Sequence, residues 1–360
     1  MNAQMSVHST LSFATLLLAP ITATLAQSCN GHPDLCNRKY DAVCNVATHN
    51  SYAFGKNIAA NQYTDIASQL QDGIRGFLID AHHPLNPPDK HTIELCHTSC
   101  FIQDGGTAVD NLKKIRTFLD NNPYEVVTIF WENFDAFDPS DFEALYQQAG
   151  LANLSYYQPP NTTWPTLLQM AAMGKRVVTF TDNVVINGNY TNTWYMPEFS
   201  YVFETPFDTT NANAFTCTVD RPKGKAAAGS FYLMNHFLSS ALPSLSNKSI
   251  DIPQSGKATF TNGKDQQNGT LGYQATLCNH TFGRVPTFMA VDFYQNGSVF
   301  EVWAQMNEVP YTSKTWAGMP TVTASSTPWV RVIDTSTGHH VEIRLVAWTL
   351  LFLGVMVFLA

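Results

Sequence analysis

The sequence predicts an α/β protein of the TIM type, a (β/α)8 barrel. Three observations lead there. Short apolar runs alternate with helical stretches along most of the chain, the pattern of a parallel sheet with crossover helices. The chain has 360 residues, 44% of them hydrophobic and 12% aromatic, enough for one large core. Nearly every apolar run is followed at once by a His, Asp, Glu or Asn, as expected where one end of a barrel carries the chemistry.

The elements follow in order. Residues 42–47 form the first predicted strand, which ends at Thr48-His49-Asn50. Residues 63–72 place Ile66 and Leu70 at helical spacing, and Gly73 stops them. The second strand, 76–79, leads to Asp80-Ala81-His82, and the third, 92–95, leads to Cys96-His97. Residues 108–120 form an amphipathic helix with Val109, Leu112, Ile115 and Leu119 on one side. The fourth strand, 126–131, ends at Glu132-Asn133, and the next helix, 139–149, has a Pro in its first turn and Gly150 past its end. Strands five to eight are 177–180, 201–203, 231–234 and 287–291, followed by Asp182, Glu204, Asn235-His236 and Asp292. Residues 235–268, rich in Ser, Asn, Lys and Gly, read as a loop excursion. After Trp303 the chain turns Thr/Ser/Pro-rich, as a stalk leaving the barrel would.

Both ends suggest export. Residues 1–26 read as a secretory signal peptide, with an apolar core at 11–18 and small residues at the cleavage positions Thr24 and Ala26. The barrel domain is then 27–325, followed by a linker at 326–344. Residues 345–360 are apolar to the last residue, shorter than the roughly 20 residues of a membrane-spanning helix, with no basic flank. With the small residues at 334–338, this fits a GPI-attachment signal; a tail-anchored or docked helix is the alternative. Asn153, Asn161, Asn189, Asn247, Asn268, Asn279 and Asn296 each open a glycosylation triplet.

Seven cysteines belong in an oxidising compartment. Cys29–Cys36 and Cys96–Cys100 read as local disulfides and Cys217–Cys278 as a long clip, although spacing alone leaves other connectivities open. Cys44 is left over as a buried thiol. The spacings do not repeat as paired zinc ligands. The net charge of -8 gives no footing for nucleic acid, and 13% charged residues exclude a long coiled coil.

The polar residues at the strand ends suggest phosphodiester cleavage. That reaction needs a base for the nucleophile and an acid for the leaving oxygen, and His49 and His97 suit both tasks. Charge developing on phosphorus needs a cation, either a metal or Arg/Lys. Asn50, Asp80 and Glu132 are hard oxygen ligands suited to Ca2+ or Mg2+. The bland alternatives are core histidines and structural ion pairs. Arg75 is a candidate phosphate contact or a structural ion pair, and Asp292 a candidate for orienting a catalytic histidine. His82 and His83 read as loop residues, Lys223 and Lys225 as solvated, and the aromatic patch at 194–199 as packing or membrane contact.

An ordered set of motifs resembles the X-domain of phosphatidylinositol-specific phospholipases C. It comprises Thr48-His49-Asn50-Ser51-Tyr52, residues 73–80 (GIRGFLID), Leu95-Cys96-His97-Thr98 and residues 127–133 (VTIFWEN), with looser matches at 174–180, 201–204 and 291–294. The likeness is nearest to secreted single-domain plant and fungal proteins. The resemblance implies that His49 stabilises the phosphorane or serves as base, and that His97 protonates the leaving alcohol. It also implies that Asn50, Asp80 and Glu132 hold Ca2+, and that the inositol 2-hydroxyl attacks phosphorus to release diacylglycerol. Two departures stand out. The metal-dependent branch has an acid where this chain has Leu78, and the metal-free branch has an arginine where it has Asp80. The expectation is a phosphodiesterase acting on an inositol phospholipid. The alternatives are another phospholipid substrate, or a catalytically weak GPI-anchored surface protein that binds inositol lipid or glycan.

Overall fold

A computed structural model describes residues 27–85, 89–97, 100–184, 193–224, 230–243, 249–316, 329–333 and 340–344. The signal peptide, the hydrophobic tail, the small residues at 334–338, and Asn189 and Asn247 lie outside the described residues.

The strands in chain order are β1 Asn45–Thr48, β2 Gly76–His82, β3 Glu94–His97, β4 Gln103–Thr107, β5 Val127–Glu132, β6 Ser155–Tyr156, β7 Val177–Thr181, β8 Tyr195–Pro197, β9 Val202–Glu204, β10 Phe231–His236, β11 Ser239–Pro243, β12 Ser249–Pro253 and β13 Phe288–Val291. The helices are α1 Ile66–Asp72, α2 Ala108–Asn121, α3 Pro139–Gln148, α4 Leu167–Ala172, α5 Glu198–Tyr201, α6 Ala258–Thr261, α7 Leu271–Phe282 and α8 Val299–Met306. A parallel wall runs β7-β5-β2-β1-β13-β10-β9 and curls into a TIM-type barrel. β6 and β8 both pair parallel with β7. Among the described residues no ladder joins β9 to these strands, so the barrel has an open seam there.

One predicted barrel strand is not in the wall. β3 runs antiparallel to the end of β2, with Ala81 opposite Leu95, and pairs in turn with β4. The connection after β2 is too short for a crossover helix, so the chain returns as an antiparallel meander over the barrel mouth. The predicted loop excursion contains a hairpin, β11 with β12. The chain also does not leave the barrel at Trp303. Lys314 Nζ donates to the Asp72 carbonyl at 2.6 Å, and the Trp316 ring lies 5.4 Å from Phe300. Within the predicted linker, Trp329–Ile333 pairs antiparallel with His340–Arg344.

Side chains alternate across the wall. Ala47, Leu78, Phe130, Phe180, Leu233 and Ala290 pack inside the barrel, while Val46, Phe77, Ile79, Ile129, Trp131 and Met289 pack outward under the helices. α2 shows how that outer layer forms. Thr107 Oγ1 caps the Asp110 amide at 3.2 Å, and Leu112, Ile115 and Leu119 are buried. Gly76 allows the close approach at the base, since a Cβ there would sit 2.6 Å from Ala47 Cβ. The base is plugged by Tyr40, whose hydroxyl meets Thr128 Oγ1 at 2.7 Å and whose ring stacks on Trp164 at 4.5 Å.

Candidate active site

The alternation that fills the barrel also builds its mouth. His49, Asp80, Glu132, Asp182, Glu204, Asn235 and Asp292 each lie two residues beyond an inward-facing Ala47, Leu78, Phe130, Phe180, Val202, Leu233 or Ala290. They therefore share the inward parity one layer above the apolar filling. Strand register aligns them further, with Asp80 directly opposite Glu132.

His49 is held on three sides. Its Nδ1 lies 3.0 Å from Asp292 Oδ1, on a contact made possible by the pairing of Thr48 with Val291. The Phe237 ring stacks on the imidazole at 3.7 Å, and Gln62 Nε2 donates to the His49 carbonyl at 2.9 Å. Asp292 is buried and also accepts from Asn61 Nδ2 at 3.1 Å on both carboxylate oxygens. Asn50 Nδ2 in turn donates to Asn61 Oδ1 at 3.3 Å. With Nδ1–H given to Asp292, Nε2 is the basic nitrogen of His49.

His97 comes from the meander rather than from the wall. Its Nδ1–H donates to the Ala59 carbonyl at 2.9 Å, which leaves Nε2 as its proton-exchanging atom. The Cys96–Cys100 disulfide anchors the end of β3, which carries it. The two imidazoles face each other edge to face with centroids 6.5 Å apart, so the structure brings the predicted pair together.

Beside them lies an acidic group made of Asp80, Glu132, Asp182, Glu204 and Glu198. Burial, then the neighbouring Glu132 charge, pushes the Asp80 carboxyl well above the usual carboxylate range. Burial, then Glu204, does the same to Glu198. Burial also raises Asp182, and it raises the half-buried Glu132 even though the Arg221 charge opposes it. Arg221 is the counter-charge. Its Nη2 lies 2.9 Å from Glu204 Oε2 and 3.4 Å from Glu132 Oε1, and Asn235 Nδ2 also donates to Glu204, at 3.0 Å.

Asn50, Asp80 and Glu132 do not fit a calcium ion as they stand. Glu132 already faces a guanidinium, and Leu78 adds only carbon beneath Asp80, so two carboxylates, one of them already paired, are what the strand ends offer beside Asn50. Among the described residues, the one group of three His, Cys, Asp or Glu ligand atoms within 4.8 Å is Glu94, Cys96 and Cys100, whose cysteines form a disulfide.

Arg75 corrects the phosphate-contact expectation. It precedes Gly76 at the base of β2, the opposite end from Asp80, and its Nε donates to Glu125 Oε2 at 2.6 Å under the Phe118 ring. It is the structural ion pair. Cys29–Cys36, Cys96–Cys100 and Cys217–Cys278 are paired and Cys44 is a buried thiol. Asn153, Asn161 and Asn268 are exposed, and Asn279 and Asn296 are half-buried. Sequence reasoning passed over Asn61, Phe237 and Arg221. The first two lie in loops with no periodic signal, and the neighbours of Arg221, a Pro and a Lys, read as solvated loop.

A family profile for the PI-PLC X domain (PI-PLC X 1) matches residues 35–307. A PI-PLC X domain-containing protein 1 of Arthroderma benhamiae is 34% identical over 301 residues, 82% of this chain and 95% of that protein. An uncharacterized secreted protein of the same organism is 36% identical, over 81% of this chain and 66% of its own length. A PI-PLC X domain-containing protein of Arabidopsis thaliana is 27% identical over 69% of this chain and 55% of its own. Among solved structures, a point mutant of the phosphatidylinositol-specific phospholipase C of Staphylococcus aureus superposes with a TM-score of 0.50 at 15% identity, covering 77% of this chain and 95% of that one. That likeness concerns the fold.

Proposed function

The chain belongs to the PI-PLC X domain family, and from that premise we propose that it cleaves an inositol phospholipid as a phosphodiesterase of the phospholipase C kind. The observation that carries the reading is the Asp292–His49 pair facing His97 across the mouth, with ring centroids 6.5 Å apart. His49 Nε2 takes the proton of the inositol 2-hydroxyl, and that oxygen forms the new bond to phosphorus. The bond from phosphorus to the diacylglycerol oxygen breaks, and His97 Nε2 supplies the proton that oxygen needs. The products are a cyclic inositol phosphate and diacylglycerol. Asp292 keeps His49 in the tautomer that accepts at Nε2 and stabilises the imidazolium that forms.

The exposed apolar side chains Phe54, Leu85, Phe101 and Phe134 support a lipid substrate, because Phe54, Leu85 and Phe134 follow the parallel strands β1, β2 and β5 on the mouth side, and Phe101 adjoins Ile102, whose carbonyl accepts from Asn57 Nδ2 in the segment after β1 at 2.7 Å. Export is part of the same proposal. Three disulfides and a relative named as secreted support it, as do the apolar segments at the two ends. A GPI anchor and glycans at the exposed Asn153, Asn161 and Asn268 complete the surface-protein reading. Release of the cell-bound protein by an enzyme that cuts GPI anchors tests the anchor, and an intact tail on mass spectrometry refutes it.

The deciding assay is release of inositol phosphate from phosphatidylinositol vesicles by wild type, His49→Gln and His97→Gln. Turnover in wild type that is lost in both variants supports the reading. Full turnover in both variants removes the histidines from the mechanism. No wild-type turnover on any phosphodiester in a substrate panel overturns the enzyme reading in favour of a surface binding protein.

A further inference from the structure

We propose that Arg221 is a catalytic residue of this mouth, supplying from within the chain the positive charge that the transferring phosphoryl group requires. The proposal rests on the phosphodiesterase reading above.

The position of Arg221 is fixed by its backbone. The Glu204 amide donates to the Arg221 carbonyl at 2.8 Å, and the Asp220 amide donates to the Glu204 carbonyl at 2.8 Å. Four residues earlier, the Cys217–Cys278 disulfide ties the segment to α7. The guanidinium is then set by its side-chain partners. Nε lies 3.1 Å from Glu204 Oε2, Nη2 reaches both Glu204 and Glu132, and the Phe207 ring lies 4.5 Å below. Nη1 donates to none of the described residues, and the side chain is 25% exposed. One edge of the fork is thus engaged by Glu204 and Glu132, and the other has no hydrogen-bond partner among the described residues.

That geometry suits an anion. Arginine presents rigid paired donors that match phosphate oxygens, and two carboxylates behind it keep it from swinging into solvent. Glu132, which it touches, lies opposite Asp80 in the neighbouring strand and within the electrostatic reach of His49, so the charge stands among the strand ends that carry His49. A divalent ion drawing on Glu132 would compete with a cation already in place. The chain thereby answers both departures seen in its sequence, the carbon at Leu78 and the carboxylate at Asp80, with a cation from a different segment.

The test measures hydrolysis of phosphatidylinositol vesicles with Ca2+ and with chelator, and calorimetric titration with Ca2+ alone, for the whole mature protein, Arg221→Gln and Arg221→Lys. Circular dichroism checks the fold of each variant. Wild-type turnover should be the same in Ca2+ and in chelator. Arg221→Gln should lose on the order of 10²–10³-fold in kcat, the cost of removing one preorganised stabilising group, while Arg221→Lys, which keeps the charge, should retain more. Arg221→Gln should also gain Ca2+ binding that wild type lacks, a change that a purely structural role would not produce. Wild-type activity abolished by chelator, or Arg221→Gln equal to wild type, overturns the proposal. If wild type turns over no phosphodiester, the enzyme reading fails while the titration still decides the charge question: stoichiometric Ca2+ binding by wild type refutes a built-in cation, and binding gained only in Arg221→Gln supports it.

Discussion

Asp292 Oδ1 stands 3.0 Å from Nδ1 of His49, 243 residues earlier in the chain. The contact exists because β13 lies parallel to β1 and their ends coincide, Thr48 opposite Val291. A buried carboxylate at Nδ1 fixes the tautomer and the ring orientation, the two things a general base needs from its neighbour. Asn61 is a positioning residue for the same carboxylate, donating at 3.1 Å to each of its oxygens.

Asp292→Asn should therefore lower kcat by about 10²–10⁴-fold with little change in KM, because an amide can turn an N–H toward Nδ1 and impose the wrong tautomer. Steady-state kinetics on phosphatidylinositol vesicles check this. Wild-type kcat in Asp292→Asn would remove Asp292 from the mechanism.

The Cys96–Cys100 disulfide anchors the end of β3, where His97 sits. Cys100→Ser should leave the fold intact, since the bridge closes a very short loop and contributes less than about 3 kcal/mol. Turnover should still fall by up to about 10²-fold through misplacement of the acid. Thermal unfolding and kinetics measured together separate the two effects; a large stability loss with unchanged kcat would argue for a purely structural bridge.

Arg75 and Glu125 form a buried ion pair 2.6 Å long at the base of the barrel. Arg75→Ala leaves Glu125 without its partner and should cost about 3–5 kcal/mol. The turnover of the molecules that remain folded should not change. Denaturant titration gives the first quantity and kinetics normalised to folded protein the second. A drop in kcat/KM without loss of stability would return Arg75 to the substrate.

Glu198 is a buried acid whose folded-state pKa is raised, by burial first and then by Glu204. The folded state therefore holds its proton more tightly than the unfolded chain. Stability therefore declines as pH rises from the ordinary glutamate pKa through the raised folded value, and no penalty exists below the ordinary one. Glu198→Gln should accordingly raise the melting temperature at neutral and alkaline pH, by about 1–2 °C for each kcal/mol regained in a barrel of this size. The gain should vanish near pH 4, close to the unfolded pKa of about 4.3. A gain independent of pH would exclude titration of Glu198 as its cause.

Phe101 and Phe134 are exposed on the mouth side, 49% and 59% accessible. The double change to Ser should weaken partition onto phosphatidylinositol vesicles by about tenfold or more, given roughly 1.5–3 kcal/mol for a fully buried apolar side chain. Hydrolysis of a soluble inositol phosphodiester should be unaffected. Vesicle sedimentation gives the first number, and equal sedimentation of variant and wild type would move the lipid contact elsewhere.

The sequence by itself determined the layered barrel and most of its mouth. Apolar runs mark the strands, and the period of two along a strand carries His49, Asp80, Glu132 and Asp292 inward as soon as the residues beneath them are apolar. These are local properties, readable from neighbours along the chain. The tertiary structure alone decided how distant segments meet. It turned the predicted third strand into an antiparallel meander, so His97 reaches the site from above the barrel. It sent Arg75 to the base, stacked Phe237 on His49, and set Arg221 against Glu132, 89 residues away. Such contacts depend on strand direction and on where long loops land once the sheet has curled, and no periodicity along the sequence records either.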